Sequence, residues 1–177
     1  LMLLCLMHDI GKIGVPLEIL NKPGKLNEAE WRIMQSHCQK GYEIAKASPE
    51  LSGIANLILY HHERWDGKGY PEGLSGQQIP LLSRIISIVD AYDAMTHDRP
   101  YRKAISSEAA KAELARNAGT QFDPQLVKEY LKTLEDNPDV AVSEADGADA
   151  TAADSGNTTA SSNADGDSRQ ERTPTSP

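Results

Sequence analysis

Stretches of apolar residues at helical spacing, separated by capping and turn signals, make up the first 134 residues of the sequence. Asn27 followed by Glu30 has the pattern of a capping box, and Asp123-Pro124 is a typical helix start. No segment shows the sustained alternation of apolar and polar residues that marks a half-buried strand. The sequence therefore predicts an all-α domain over residues 1–134.

The same signals predict where each helix begins and ends. Residues 64–80 hold four glycines and predict a long, packed loop. Apolar spacing predicts that helix 28–47 buries a face made of Trp31, Met34, Cys38, Ile44 and Ala45. The predicted elements are a buried helix ending near Asp9, one helical turn within 16–22, and helices over 28–47, from Ser48-Pro49 to Glu63, over 81–97, from Ser106 or Ser107 to Ala118, and from Asp123 to Leu134.

The negative charge of the chain belongs to its C-terminal part. The whole sequence has a formal charge of −8, and residues 135–177 hold ten acidic and two basic residues, so residues 1–134 are neutral overall. Because 135–177 contains almost no large apolar residue, we expect a disordered acidic tail. The two cysteines indicate buried thiols in a reducing, cytoplasmic compartment. No apolar stretch is long enough to span a membrane, and the neutral domain gives no sign of nucleic-acid binding.

Histidine and aspartate residues recur in four separate segments of the predicted domain. Taken alone, each has a plainer explanation: His37 could be a hydrogen-bonded core residue, and His61-His62 could be a solvated helix end. Asp90, however, lies next to the apolar face of its helix, where a carboxylate is costly unless it is paired or bound to a metal. Nitrogen and oxygen ligands without thiolate favour iron, manganese, cobalt or nickel. The candidate ligands are His8, Asp9, His37, His61, His62 and Asp90.

Six such ligands are too many for one tetrahedral ion but suit two octahedral ions that share a carboxylate, for which Asp9 is the candidate. Metal pairs of this kind act on phosphate esters, because they activate a water molecule and stabilise the charge that develops on phosphorus. Lys12, Arg99 and Arg102 are candidates for binding the non-reacting phosphate oxygens. Without the metal ligands, residues 98–103 would be read as a solvated basic turn.

Together these motifs resemble the HD-GYP domain, a bacterial branch of the HD metal-dependent phosphohydrolases. The resemblance rests on six segments in the same order, over about residues 1–134. They are His8-Asp9-Ile10-Gly11-Lys12, His37, His61-His62-Glu63, Asp66-Gly67-Lys68-Gly69-Tyr70-Pro71, Asp90-Ala91-Tyr92-Asp93-Ala94-Met95-Thr96 and Asp98-Arg99-Pro100-Tyr101-Arg102.

The resemblance implies an HD-type helical bundle that binds two or three divalent ions, usually iron or manganese. It implies hydrolysis of cyclic di-GMP, a bacterial second messenger, to the linear dinucleotide or to GMP. The six candidate ligands match the metal ligands of the family, with Asp9 and Lys12 in the catalytic machinery. Lys12, Arg99 and Arg102 match its phosphate-contacting positions. Gly69, Tyr70 and Pro71 match a loop linked to binding diguanylate cyclase domains.

The family pattern includes a further histidine ligand on a helix upstream of the His-Asp pair. Because the sequence opens inside an apolar stretch, we expect it to be a fragment of a longer sensor or response regulator that lacks this helix and an upstream sensor or receiver domain. Such a fragment would bind metal weakly or be less stable. The sequence leaves open whether the chain forms a homodimer.

Two other functions compete with the phosphodiesterase. One is a module without catalysis that binds cyclic di-GMP or a cyclase and transmits a signal. The other is an HD phosphohydrolase acting on a different nucleotide. The presence of all six visible ligands favours an enzyme over the binding module, and the loop at Gly69–Pro71 together with residues 98–102 favours cyclic di-GMP over other nucleotides.

Overall fold

The computed structural model describes residues 1–98 and 103–137, and all its regular structure there is helical. The predicted all-α fold is confirmed for these ranges. The predicted tail lies, from residue 138 onward, outside them. The helices are α1 (Met2–Met7), α2 (Leu17–Leu20), α3 (Glu28–Gln35), α4 (His37–Ala47), α5 (Ala55–Leu59), α6 (Leu81–Thr96), α7 (Ser107–Arg116) and α8 (Pro124–Asp136), with short 3-10 helices at Ile10–Gly14, Ser52–Ile54 and Gly76–Gln78.

Several predicted helix starts are confirmed by side-chain caps. Asn27 accepts a hydrogen bond from the Glu30 backbone N–H at 2.9 Å, and the Glu30 carboxylate accepts one from the Asn27 N–H at 2.8 Å. Asp123 accepts from the backbone of α8 at its first turn, 2.9 Å from the Gln125 nitrogen. Such caps satisfy N–H groups that have no partner within a helix, and they fix where each helix begins.

The single helix predicted over residues 28–47 is wrong, because the chain is interrupted at Ser36 between α3 and α4. The Ser36 hydroxyl donates to the carbonyl of Ile33 at 2.6 Å, a local bond that competes with helix continuation. Only part of the predicted inward face is buried. Cys38 and Ala45 are fully buried as predicted, whereas Trp31 is 46% exposed and Ile44 is 38% exposed.

The helix predicted from Ser48-Pro49 to Glu63 is also shorter than expected. Residues from Ser48 form a turn and a 3-10 helix instead, and α5 covers only Ala55–Leu59. Gly53 lies in this segment, and glycine weakens a helix interior. His61 and His62 therefore lie in the turn after α5 and not on the helix itself.

The buried apolar residues form two clusters that share helix α6. One joins α1, α4, α5 and α6, and the other joins α6, α7, α8 and the turn before α8. No helix among the described residues is both long and apolar enough to cross a membrane. The clusters are Leu4, Ala45, Ala55, Ile58 and Ile86, and Ile88, Tyr92, Ala110, Leu114, Phe122, Val127 and Leu134.

The turn after α1 packs against α4 with almost no space between the two backbones. A Cβ atom added to Gly11 would lie 1.9 Å from the carbonyl oxygen of His37, and one added to Gly41 would lie 2.8 Å from the Ile58 side chain. Only glycine allows this approach. The turn that carries Asp9 is thereby brought directly against the start of α4, where His37 lies.

We expect Gly11→Ala to lower the free energy of unfolding by about 3 kcal/mol, because the new methyl group forces the turn away from α4. The matched control is Gly53→Ala, since a Cβ at Gly53 would meet no atom within 4 Å. This control should change stability by no more than about 1 kcal/mol. Urea unfolding followed by circular dichroism measures both, and equal effects of the two variants would contradict the close-packing argument.

Candidate metal centre

The six side chains predicted as metal ligands converge in the structure from four segments of the chain. The turn after α1 provides His8 and Asp9, the first residue of α4 provides His37, and the turn after α5 provides the adjacent pair at 61 and 62. Helix α6 provides Asp90 from the side that faces α1. The Oδ1 atom of Asp90 lies 3.8 Å from the Nε2 atom of His8.

Three of the histidines are held by the same hydrogen bond. The Nδ1 atoms of His8, His37 and His61 lie 2.8, 2.7 and 2.6 Å from the backbone carbonyl three residues earlier. A carbonyl can only accept, so Nδ1 must carry the hydrogen in each ring. In the neutral imidazole this leaves a lone pair on Nε2, which is the form that binds a metal ion.

These Nε2 atoms surround the carboxylate of Asp9. Asp9 Oδ1 lies 3.5 Å from His37 Nε2 and 3.8 Å from His61 Nε2, and Asp9 Oδ2 lies 3.6 Å from His8 Nε2. The His37 and His61 Nε2 atoms are 3.3 Å apart. Two lone pairs this close cannot bond to each other, but both can bind one cation between them. The arrangement therefore suits a carboxylate shared between metal ions.

Two atoms of the cluster are buried without a hydrogen-bond partner, namely His8 Nε2 and Asp9 Oδ1. Leaving a buried polar atom unsatisfied costs about 1–3 kcal/mol, and more when it is charged. A divalent cation would satisfy both atoms together with the neighbouring imidazoles. The donor atoms of these residues therefore have both the chemistry and the directions that a metal centre requires.

The electrostatic surroundings keep most of the imidazoles neutral. Burial lowers the pKa of His37, His61 and His62, in the last case to about 2. His8 differs: burial lowers its pKa, but the Asp90 carboxylate, 3.8 Å from its Nε2, and the nearby Asp9 carboxylate together raise it above the usual value. The same contact with His8 lowers the pKa of Asp90. Neutral imidazoles beside ionised carboxylates are the protonation states that divalent ions require.

A second set of neighbouring donor atoms overlaps the first. One ligand atom each from His37, Cys38, His61 and His62 can be chosen so that all lie within 4.8 Å of one another. Cys38 is fully buried, and burial raises the pKa of its thiol to about 12. A thiol that is so strongly protonated is a weaker candidate than the imidazoles, in agreement with the prediction that Cys38 is a buried core thiol.

Lys12 lies at the rim of the cluster, and its ammonium group forms an ion pair with Asp9 Oδ2. It also lines a cavity of about 330 Å³ that reaches His37, His62 and Tyr70. A second cavity of about 210 Å³ touches His61, His62 and Asp90 from another direction. The cluster is thus accessible to a molecule larger than water. Arg99 and Arg102, the other predicted phosphate contacts, lie outside the described residues.

The Gly69-Tyr70-Pro71 loop packs directly on the cluster. The Tyr70 ring lies 4.9 Å from the His62 ring at an interplanar angle of 30°, and Pro71 is exposed. A Cβ at Gly69 would lie 2.4 Å from the backbone of Arg64, so the loop folds back tightly on the segment after the histidine pair. One end of the loop therefore supports the site while the other faces solvent.

Glu63 anchors this loop, a role that its sequence pattern did not predict. Glu63 is 4% exposed, and its Oε1 accepts hydrogen bonds from the backbone N–H groups of Glu72 and Gly73 at 2.8 and 3.0 Å. Burial raises the pKa of this carboxyl group, although these backbone donors act in the opposite direction. The available signal was an acidic residue between the histidine pair and a glycine-rich loop that needs acceptors for its N–H groups.

Comparison with known proteins gives a consistent picture. Residues 3–126 match the model of a family described as HD domain. The chain is 42% identical over 134 residues to 3'3'-cGAMP-specific phosphodiesterase 3 of Vibrio cholerae serotype O1, and 44% identical over 128 residues to the cyclic di-GMP phosphodiesterase response regulator RpfG of Xanthomonas campestris pv. campestris. It is 42% identical over 136 residues to a cyclic di-GMP phosphodiesterase of Thermotoga maritima.

These alignments cover 76%, 71% and 76% of this chain, but 29%, 34% and 37% of the relatives, so the chain spans about a third of their length. Among solved structures, the fold matches a crystal structure of the cyclic GMP-AMP specific phosphodiesterase V-cGAP3 of V. cholerae. That match has a TM-score of 0.57 and 26% sequence identity, and it covers 76% of this chain and 37% of that one.

We expect His61→Ala to reduce the affinity for a divalent ion by more than about 100-fold, since loss of even an outer partner of a ligand costs 10–100-fold. The matched control is His97→Ala, because His97 lies at the end of α6 and takes no part in the cluster. Metal content after dialysis, measured by inductively coupled plasma mass spectrometry, compares the two. Equal metal content in both variants would contradict the assignment of His61.

We expect Glu63→Ala to release the loop at residues 69–73, because the N–H groups of Glu72 and Gly73 lose their buried acceptor. Glu63→Gln keeps an acceptor oxygen and should retain most of the protection. Hydrogen–deuterium exchange of the peptide that spans 69–73 measures the effect, and a cost of about 1–3 kcal/mol corresponds to roughly 5- to 150-fold faster exchange. Unchanged exchange in Glu63→Ala would show that other contacts hold the loop.

Proposed function

Since the chain belongs to the HD domain family, we propose that it is a divalent-metal-dependent phosphodiesterase that hydrolyses cyclic dinucleotides. The single observation that carries the proposal is the convergence of imidazole Nε2 atoms on the Asp9 carboxylate, with two buried polar atoms lacking a partner. Relatives that are named phosphodiesterases for cyclic di-GMP or 3'3'-cGAMP, at about 40% identity, support the substrate class.

In this proposal both carboxylate oxygens of Asp9 would hold metal, since each of them faces at least one different imidazole. Divalent ions at such a centre supply an acidic water and positive charge beside phosphorus. The chain's own residues would hold those ions, and the rings of His8, His37 and His61 are fixed for this by their Nδ1 hydrogen bonds. The proposed ligands are His8, Asp9, His37, His61, His62 and Asp90.

Lys12 is proposed to bind a non-reacting phosphate oxygen. Its ammonium group is already beside the metal cluster and lines the cavity through which a phosphate would approach. An ammonium group is a compact charge that suits a phosphate oxygen. For Arg99 and Arg102 the same role rests on their sequence positions alone.

The ligand set bears on the identity of the metal. Four imidazoles and two carboxylates, with the nearby thiol strongly protonated, favour iron or manganese over a structural zinc site. The six proposed ligands are enough for two ions, and a third ion would need further donor atoms.

The preferred substrate is cyclic di-GMP, with linear dinucleotide or GMP as product. The naming of several relatives, and of the matching crystal structure, for 3'3'-cGAMP specifically favours that compound as the second candidate. A diguanylate cyclase domain is proposed as a partner for the exposed side of the Gly69-Tyr70-Pro71 loop, because Pro71 is exposed next to the site. Cytoplasmic location and a homodimer remain proposals based on the sequence.

The deciding experiment is chromatographic analysis of cyclic di-GMP and 3'3'-cGAMP after incubation with the anaerobically purified chain loaded with Fe(II) or Mn(II). We expect product from the wild-type chain and none from Asp9→Ala, because that variant removes the shared carboxylate. Lys25→Ala, which changes an exposed lysine, should retain full activity. Arg99→Ala should raise KM while leaving kcat nearly unchanged, as expected for loss of a binding contact.

Full activity in Asp9→Ala would contradict the metal mechanism. If the folded, metal-loaded chain binds cyclic di-GMP in calorimetry but releases no product, it is a binding module instead. If it hydrolyses other phosphodiesters but neither cyclic dinucleotide, the reaction class stands and the substrate assignment is wrong.

A further inference from the structure

The larger cavity beside the metal cluster has walls suited to more than a phosphate group. Its volume of about 330 Å³ is within the range of small-molecule sites. One part of the wall is formed by His37 and His62 of the cluster. The remainder is apolar, aromatic and cationic, and includes Lys12, Lys22, Trp31 and Tyr70.

Trp31 is unexpectedly exposed for a residue of its size, at 46%. Its ring meets Tyr70 edge to face, with 6.0 Å between ring centroids and an interplanar angle of 78°. An edge-to-face contact can cover at most one of the two faces of the indole ring. Exposed aromatic faces in a cavity next to a phosphate-binding centre are the usual platform on which a nucleobase stacks.

Lys22 lies between α2 and α3. Unlike Lys12, it is a cationic residue of this wall whose ion pair is not with the metal cluster. Its ammonium nitrogen is 2.7 and 2.6 Å from the two carboxylate oxygens of Glu30. Glu30 is in turn fixed by the capping box with Asn27. An ammonium group has three N–H bonds, and two suffice for the Glu30 oxygens. The lysine is therefore held in place with one donor left for a molecule in the cavity that it lines.

A donor fixed in this position distinguishes the two purines. Guanine presents two acceptors on its O6/N7 edge, whereas adenine presents the N6 amino donor where guanine has O6. We propose that Lys22 is a specificity-determining residue that donates to guanine O6 while the base stacks on Trp31. This inference rests on the proposed function, because it places a nucleotide of the substrate in the cavity beside the metal cluster.

A role for Lys22 in binding phosphate is less consistent with its contacts. Lys12 pairs with Asp9 and so faces the phosphate position at the metal centre. Lys22 pairs with Glu30, and a phosphate would be repelled by that carboxylate. A neutral guanine edge next to the same carboxylate incurs no such repulsion, because Glu30 can accept from the N1–H or the amino group of the base.

The test is calorimetric binding of GMP and AMP to the full chain loaded with Mn(II), which does not depend on turnover. We expect the wild-type chain to prefer GMP about tenfold, the size of one discriminating hydrogen bond. Lys22→Met should weaken GMP binding about tenfold and leave AMP unchanged. Lys22→Gln should also lose the preference, because an amide can donate to O6 or accept from N6. The matched control is Lys25→Met, a lysine that also lies between α2 and α3, and this variant should keep the preference for GMP over AMP.

Equal weakening of GMP and AMP by Lys22→Met would overturn the inference and indicate a phosphate contact. An unchanged preference in both Lys22 variants would overturn it as well. Kinetics separates this result from the proposed function. If the wild-type chain hydrolyses cyclic di-GMP and Lys22→Met leaves KM for cyclic di-GMP unchanged, the enzyme assignment stands and the inference fails. If no cyclic dinucleotide is hydrolysed but the GMP preference depends on Lys22, the inference stands alone.

Discussion

The hydrogen bond from an imidazole Nδ1–H to a backbone carbonyl one helical turn earlier fixes the chemistry of the centre. His8, His37 and His61 all form it, so that helical backbone determines both the tautomer and the direction of each ring. The energy of each bond is modest, about 1 kcal/mol. Its consequence is larger, because three lone pairs then point to one place before any ligand is bound, and little reorganisation is left for the binding step.

This convergence also requires the backbones that carry the rings to approach closely. A Cβ atom at Gly11 would meet both the carbonyl of His37 and the backbone nitrogen of Gly41, so these two glycines determine the distance between the turn after α1 and helix α4. The Asp9 carboxylate is thereby placed between imidazoles that come from remote parts of the chain. Packing at these two positions is therefore a condition for the electrostatics of the cluster, although neither glycine has a donor or acceptor side chain.

The sequence predicted the helical class, the capped starts of α3, α7 and α8, and a set of candidate metal ligands whose side chains lie close together. Local signals determine such features. It did not predict the interruption at Ser36, because the apolar pattern continues across this residue and does not register the bond from its hydroxyl to the carbonyl of Ile33. The position of Trp31 and the anchoring role of Glu63 depend on contacts with a loop distant in sequence, which periodicity does not report.

Helix α6 contributes to both apolar clusters, with Ile86 in one and Ile88 and Tyr92 in the other, and it also carries Asp90, between Ile88 and Tyr92. Neither cluster is therefore an independent folding unit. A partial opening that detached α7 and α8 would remove much of the burial that keeps α6 in place, and the carboxylate would lose its alignment with His8. Substitutions far from the imidazoles can thus alter the centre through the population of such opened states, with no change in any residue that a substrate touches.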